Sequence, residues 1–243
     1  MKPTVLSIII PCRNEAGNIE SIFQDLKEIE GFDEAIFVEG GSSDSTFDEI
    51  SKEILKTKDS RLRLMRQNGV GKFNAVLTAI SASNAESFAI WDGDNTISAE
   101  DQNLMISLYR NSHHEIFVTA NRLNPQRHSA SMRIINLIGN KLFSRLTYAT
   151  MGINVPDVLA GTKIFPRRIL DESVACDRAM QADPFGDLYL LSRASLCGIE
   201  VKSMACEYRA RKYGSTNIKR WSGGWAMLKF LNHLVQHRCH KRR

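Results

Sequence analysis

No stretch of this 243-residue chain approaches the roughly 20 consecutive apolar residues that a membrane-spanning helix needs. The N-terminus passes from Met1-Lys2-Pro3 straight into a β-branched run, without the apolar core and cleavage site of a secretory leader. Both features point to the cytoplasm. Cysteine is sparse: Cys12, Cys176, Cys197, Cys206 and Cys239 are widely spaced, odd in number and form no C-x-x-C pair, which argues against a disulfide framework or a zinc ribbon. A G-x-G-x-x-G motif is missing after the first strand-like segment. Gly69-Val70-Gly71-Lys72-Phe73 lacks both the upstream glycine and the Ser/Thr of a P-loop. Dinucleotide oxidoreductases and P-loop kinases are thereby set aside. Net charge is a modest +5, with much of the excess in His237-Arg238-Cys239-His240-Lys241-Arg242-Arg243. Such a tail reads as a solvated segment or as a contact for anionic lipid. No aromatic-interleaved basic motif accompanies it, so nucleic acid is not an expected partner.

What is present is an apolar content of 43% with helix and strand periods in alternation. Val5 to Ile10 is a β-branched run ended by Pro11, as in a strand buried on both faces of a parallel sheet. Asn14 is a candidate N-cap for a helix carrying Ile19, Ile22, Phe23, Leu26 and Ile29. A strand over Ala35 to Val38 and a helix beginning at Ser43 or Asp44 follow. Further strands are predicted at Arg61 to Met65, Phe88 to Trp91, Glu115 to Thr119 and Glu200 to Ala205. Helices are predicted at Lys72 to Ala82, near 100–111 and at Ser131 to Thr150. The repeated strand–turn–helix order gives one α/β domain with a mostly parallel central sheet flanked by helices. Residues 1–220 form that domain. Residues 221–243 hold a C-terminal amphipathic helix, with Trp221, Trp225, Leu228, Leu231 and Val235 on one stripe, and the basic tail. That helix suits either an interfacial position or packing on the core.

In open parallel sheets, ligands bind beyond the carboxyl ends of the strands. Here those ends carry Pro11-Cys12-Arg13-Asn14-Glu15, Glu39-Gly40-Gly41-Ser42-Ser43-Asp44 and Asp92-Gly93-Asp94. Two carboxylates flanking a glycine after an apolar strand repel each other and lose water unless a cation joins them. Hard oxygen ligands favour Mg2+ or Mn2+. The same four residues, Asp92 to Asn95, also suit a plain turn.

The ordered set of motifs resembles the family 2 glycosyltransferases, in the branch of the dolichol-phosphate mannosyltransferase-like enzymes. Its pieces are Ile10 to Glu15, Val38 to Thr46, Gly71 to Ala75, Asp92-Gly93-Asp94, Asn121-Arg122, Asn136 to Phe143, Asp157 to Lys163, Asp183 to Asp187 and Tyr208 to Asn217. The resemblance implies a GT-A type nucleotide-sugar fold and an inverting, metal-dependent transfer from a GDP- or UDP-sugar to a polyprenyl phosphate; the alternatives are a sugar hydroxyl acceptor with Asp187 as base, and a non-catalytic nucleotide-sugar-binding module that keeps the fold. It places the nucleotide sugar against Pro11, Asn14, Glu15, Glu39, Gly41, Ser42, Lys72, Asp92 and Gly93, and the metal on Asp92 and Asp94. Asp44 is expected to cap the second helix. Arg122, Arg133 and Asn217 match acceptor or phosphate positions, and Arg211 belongs to a flap over the acceptor. Asp187 stands where relatives place a base, and a helix N-terminal carboxylate reads the same way. The C-terminal stripe and basic tail, if interfacial, would give peripheral contact with the inner face of the membrane. Departures include Gly40 for a second acid, Phe73 for a glycine, Thr96 for a glutamine and Tyr189 for an acid.

Overall fold

The computed structural model describes residues 5–123, 134–170, 185–214 and 224–232. Strands β1 (Leu6–Cys12), β2 (Glu34–Glu39), β3 (Leu62–Arg66) and β4 (Ser87–Ile90) alternate with helices α1 (Ala16–Glu28), α2 (Thr46–Thr57) and α3 (Lys72–Ala82). Helix α4 (Ala99–Asn111), strand β5 (Ile116–Asn121), helix α5 (Ile134–Met151) and strand β6 (Lys163–Pro166) follow. A 3-10 turn (Arg167–Leu170), helix α6 (Asp187–Leu196), strand β7 (Glu200–Ala205) and a helix over 224–232, here α7, complete the described chain.

The seven strands form one sheet in the order β3-β2-β1-β4-β6-β5-β7. The first four are mutually parallel, and β7 runs parallel to β5. Only β6 is antiparallel to its neighbours. Side chains alternate across the sheet with period two. Ile9, Ile36, Val38, Phe88 and Ile90 enter one apolar layer with α3, α5, α6 and α7. Ile8, Ile10, Ala35, Phe37, Ala89 and Trp91 enter the other with α1, α2 and α4. Burial on both faces explains why these strands read as continuous apolar runs. The chain leaves β1 toward β2 and β3, then returns to place β4 on the other side of β1. The crevice therefore opens between the carboxyl ends of β1 and β4.

Three readings of the sequence are corrected. Strand β6 was not foreseen, because Lys163-Ile164-Phe165-Pro166 puts only two apolar residues between a lysine and a proline. Asn14 does not cap α1, which begins at Ala16 without a side-chain cap; its side chain turns to the neighbouring strand end. In α7, Met227, Phe230 and Leu231 are the buried residues, whereas Trp225 and Leu228 of the expected stripe face outward. The core selects that face because the helix packs into the layer formed with α3 and α6.

Candidate active site

The turns after β1 and β2 are stitched together by hydrogen bonds. The Asn14 backbone N–H donates to Ser42 Oγ at 3.0 Å, and Asn14 Oδ1 accepts from the Ser43 backbone N–H at 2.8 Å. The Glu15 backbone N–H donates to Thr46 Oγ1 at 2.9 Å, and that of Ala16 to Asp44 Oδ2 at 3.3 Å. Asp44 Oδ1 also accepts from the Thr46 N–H at 3.0 Å. It thus satisfies donors at the starts of both helices, although α2 begins at Thr46 with Ser45, not Asp44, at the cap position expected from the sequence. Asn14 holds φ 56°, a left-handed conformation that asparagine tolerates. Buried Glu39 closes its own turn, with Oε1 accepting from the Ser42 N–H and Oε2 3.6 Å from Arg66.

The end of β4 meets the same place. A Cβ on Gly93 would lie 2.7 Å from the Pro11 carbonyl oxygen, so only glycine lets the two strand ends approach this closely. Asp92 pairs with Lys72 of α3. Asp94 accepts from Thr96 Oγ1 at 3.0 Å and from Arg211 Nη2 at 2.6 Å. Each carboxylate of the Asp-Gly-Asp motif therefore carries its own cationic partner. Gly161, just before β6, makes room for this: a Cβ there would fall 2.0 Å from Asp92 Oδ2 and 2.3 Å from Lys72 Nζ.

Burial works against ionisation of Asp92, yet Lys72, Lys163 and Arg122 together hold its carboxyl below the usual range. The Lys72 ammonium is disfavoured by burial but raised on balance by Asp92, Asp187 and Asp94. Glu15 goes the other way. Burial and the nearby Asp94 and Asp92 charges push it up to about 7, against the lowering effects of the Asn18 amide and Arg211. The native protein therefore binds a proton at Glu15 that an unfolded chain releases near pH 4.5. That contribution to stability is full below pH 4.5 and disappears as pH rises toward 7. Glu15→Gln is expected to flatten this slope in urea unfolding between those pH values, and an unaltered slope would exclude Glu15 as its source.

Two further ion pairs support the crevice. Arg122 donates from Nε and Nη2 to Asp157 at 2.7 and 2.9 Å, its backbone N–H donates to the same carboxylate, and Asn140 joins from α5. Arg122 thus has a fixed bidentate partner beside its position near Asp92. Fully buried Lys163 bonds Asp187 Oδ1 at 2.6 Å and the Ala160 carbonyl. Asp187, at the first turn of α6, is itself buried. The departures Phe73 and Tyr189 contact each other, with ring centroids 5.2 Å apart. Arg133 and Asn217 lie outside the described residues. No individual role follows from the sequence for Lys163, Asp157 or Asn140; the signal available was their place inside the segments Asp157 to Lys163 and Asn136 to Phe143.

The mostly parallel sheet, with the polar turns of its first, second and fourth strands at one crevice and an acidic pair after the fourth, matches the GT-A fold expected from the sequence. Residues 7–174 match Glycosyl transferase family 2, and the chain belongs to that family. It is 26% identical over 219 residues to glycosyltransferase AglJ of Haloferax volcanii, covering 89% of this chain and 67% of that protein. It is also 26% identical over 224 residues to a dolichyl-phosphate hexose transferase of the same organism, covering 91% and 90%. In fold it is similar to glucosyl-3-phosphoglycerate synthase of Mycobacterium tuberculosis, crystallised with Mn2+, UDP and phosphoglyceric acid. The TM-score is 0.69 at 16% identity, over 95% of this chain and 78% of that one.

Proposed function

We propose that this chain is an inverting hexosyltransferase that moves a sugar from a nucleoside diphosphate donor to a polyprenyl phosphate, with Mg2+ or Mn2+ held by Asp92 and Asp94. The observation that carries this is the meeting of Asp92 and Asp94 with Lys72 and Arg211 at the joined ends of β1, β2 and β4. Among the described residues no cluster of three His, Cys, Asp or Glu side chains is disposed to hold a metal. Two carboxylates with the remaining positions left to diphosphate oxygens and water suit magnesium or manganese. Such an ion, when bound, would offset charge on the leaving diphosphate. Pro11, Asn14, Glu15, Glu39, Gly41 and Ser42 would line the nucleoside, and Lys72 and Gly93 the diphosphate. Arg211 and Arg122 would bring guanidinium charge to the two phosphate-bearing substrates.

Asp187 bears on the choice of acceptor. A hydroxyl acceptor needs a base to take its proton, whereas a phosphate oxygen is already anionic. Asp187 is buried and committed to Lys163, which favours the anionic acceptor and attack governed by positioning and electrostatics. The dolichyl-phosphate hexose transferase among the relatives agrees with this choice.

No helix among the described residues is long and apolar enough to cross a membrane. Trp225 on α7 is 65% exposed, as is Ile138 on α5, and Leu142 is 52% exposed. These side chains would give peripheral contact with an anionic leaflet on the cytoplasmic side. Trp225→Asp is expected to lower sedimentation with phosphatidylserine vesicles several-fold, and unchanged sedimentation would dismiss that contact. The function itself is tested by a thermal-shift screen of GDP- and UDP-sugars with Mn2+, followed by transfer to polyprenyl phosphate. A donor that binds the native state raises the melting temperature; no shift with any donor would overturn the reading.

A further inference from the structure

The chain leaving β7 crosses the mouth of the crevice as a strap. The Glu207 backbone N–H donates to Asp101 Oδ2 at 2.9 Å, and that of Arg209 to the Thr96 carbonyl at 2.9 Å. Arg211 reaches Asp94, and Tyr213 comes to rest on Gly17 at the start of α1. A Cβ on Gly17 would lie 2.4 Å from Tyr213 Cδ2, 2.6 Å from its Cγ and 3.0 Å from its Cβ. Rotation of the tyrosine about χ1 carries Cγ and Cδ2 away but leaves its own Cβ at 3.0 Å, so the strap or α1 must still give by a few tenths of an ångström. Gly17 is therefore a fitted seat for Tyr213, and that seat lies two residues from the group that meets Asp94.

Resting on the reading of Asp94 as a metal ligand, we propose that Arg211 is a tethered counter-ion for Asp94. Tyr213 and Gly17 are the positioning residues that hold it there, so that cation binding and release of the strap are one exchange. An Asp94 carboxylate with a guanidinium at 2.6 Å offers a divalent ion one oxygen fewer and an adjacent positive charge. The ion binds only as Arg211 departs, and by reciprocity a closed strap lowers affinity for the ion. Nothing in this role requires Arg211 to touch substrate. Tyr213 and Gly17 act only through Arg211, which distinguishes them from residues that touch the donor.

The test is Mn2+ calorimetry on the full chain without nucleotide. Arg211→Gln, Gly17→Ala and Tyr213→Ala are each expected to tighten Mn2+ binding by about threefold or more, the range of a partly exposed charge pair. Gly17→Ala added to Arg211→Gln should give no further gain, because both remove one interaction. Backbone hydrogen exchange over 207–214 should quicken when Mn2+ is added to the unaltered protein. Equal Mn2+ affinity in all four proteins, or full additivity of the pair, would overturn the counter-ion role and leave the metal reading standing. Failure of every protein to bind Mn2+, with UDP or GDP also supplied, would overturn both. Tyr213→Ala alters an exposed side chain and keeps the outcome readable if Gly17→Ala does not fold.

Discussion

Asparagine at position 94 is expected to abolish metal-dependent donor binding and to lower turnover by at least about a hundredfold, the usual scale for losing one preorganised charge-stabilising group. Asparagine keeps the shape of aspartate and one of the two acceptor oxygens, so its carbonyl can accept from Arg211 while its NH2 donates to the Thr96 hydroxyl, but it removes the charge. The Asp94–Arg211 pair is partly exposed, so its contribution to stability is small. The fold should persist with a nearly unchanged melting temperature while Mn2+ titration loses its signal. That combination separates a site effect from unfolding. If Asp94→Asn binds Mn2+ as the parent does, Asp94 is not a ligand and the proposed metal site is wrong.

The second large effect is one of stability. Lys163→Met would leave the Asp187 carboxylate buried without its partner, a situation that destabilises proteins by about 3–5 kcal/mol. Against a total of about 5–15 kcal/mol, this lowers the melting temperature on the order of 10 °C. Removing both charges in Lys163→Met with Asp187→Leu is expected to recover most of the loss, because matched apolar groups replace a buried pair at little net effect. Urea unfolding measures both. Recovery absent from the double variant would mean that the pair does more than neutralise itself. Asp187→Asn bears on the acceptor too. Transfer to polyprenyl phosphate should continue in that variant, and its loss, at retained donor affinity, would restore Asp187 as a base.

The parallel half of the fold was legible residue by residue. Ile8-Ile9-Ile10, Ile36-Phe37-Val38 and Phe88-Ala89-Ile90 are short apolar runs, and α1 to α4 repeat their buried residues at helical spacing. These are local patterns that an α/β layer imposes on any sequence. The crevice was legible for the same reason, since Asn14, Glu39 and Asp94 follow directly after those strands. Strand β6 was not, for its four residues carry no period and its lysine is tolerated inside only because Asp187 meets it.

The pairings around the acidic motif were out of reach because the partners are remote along the chain. Lys163 and Asp187 are 24 residues apart, Arg122 and Asp157 are 35 apart, and Arg211 and Asp94 are 117 apart. Read alone, each is a charged residue with an ordinary solvated alternative. Composition and periodicity thus determined the layers of this protein and which polar turns stand at its strand ends, because hydrophobic burial leaves its period in neighbouring residues. Tertiary structure alone decided which cation faces which carboxylate, because that choice depends on charges that only a completed sheet brings within a few ångströms.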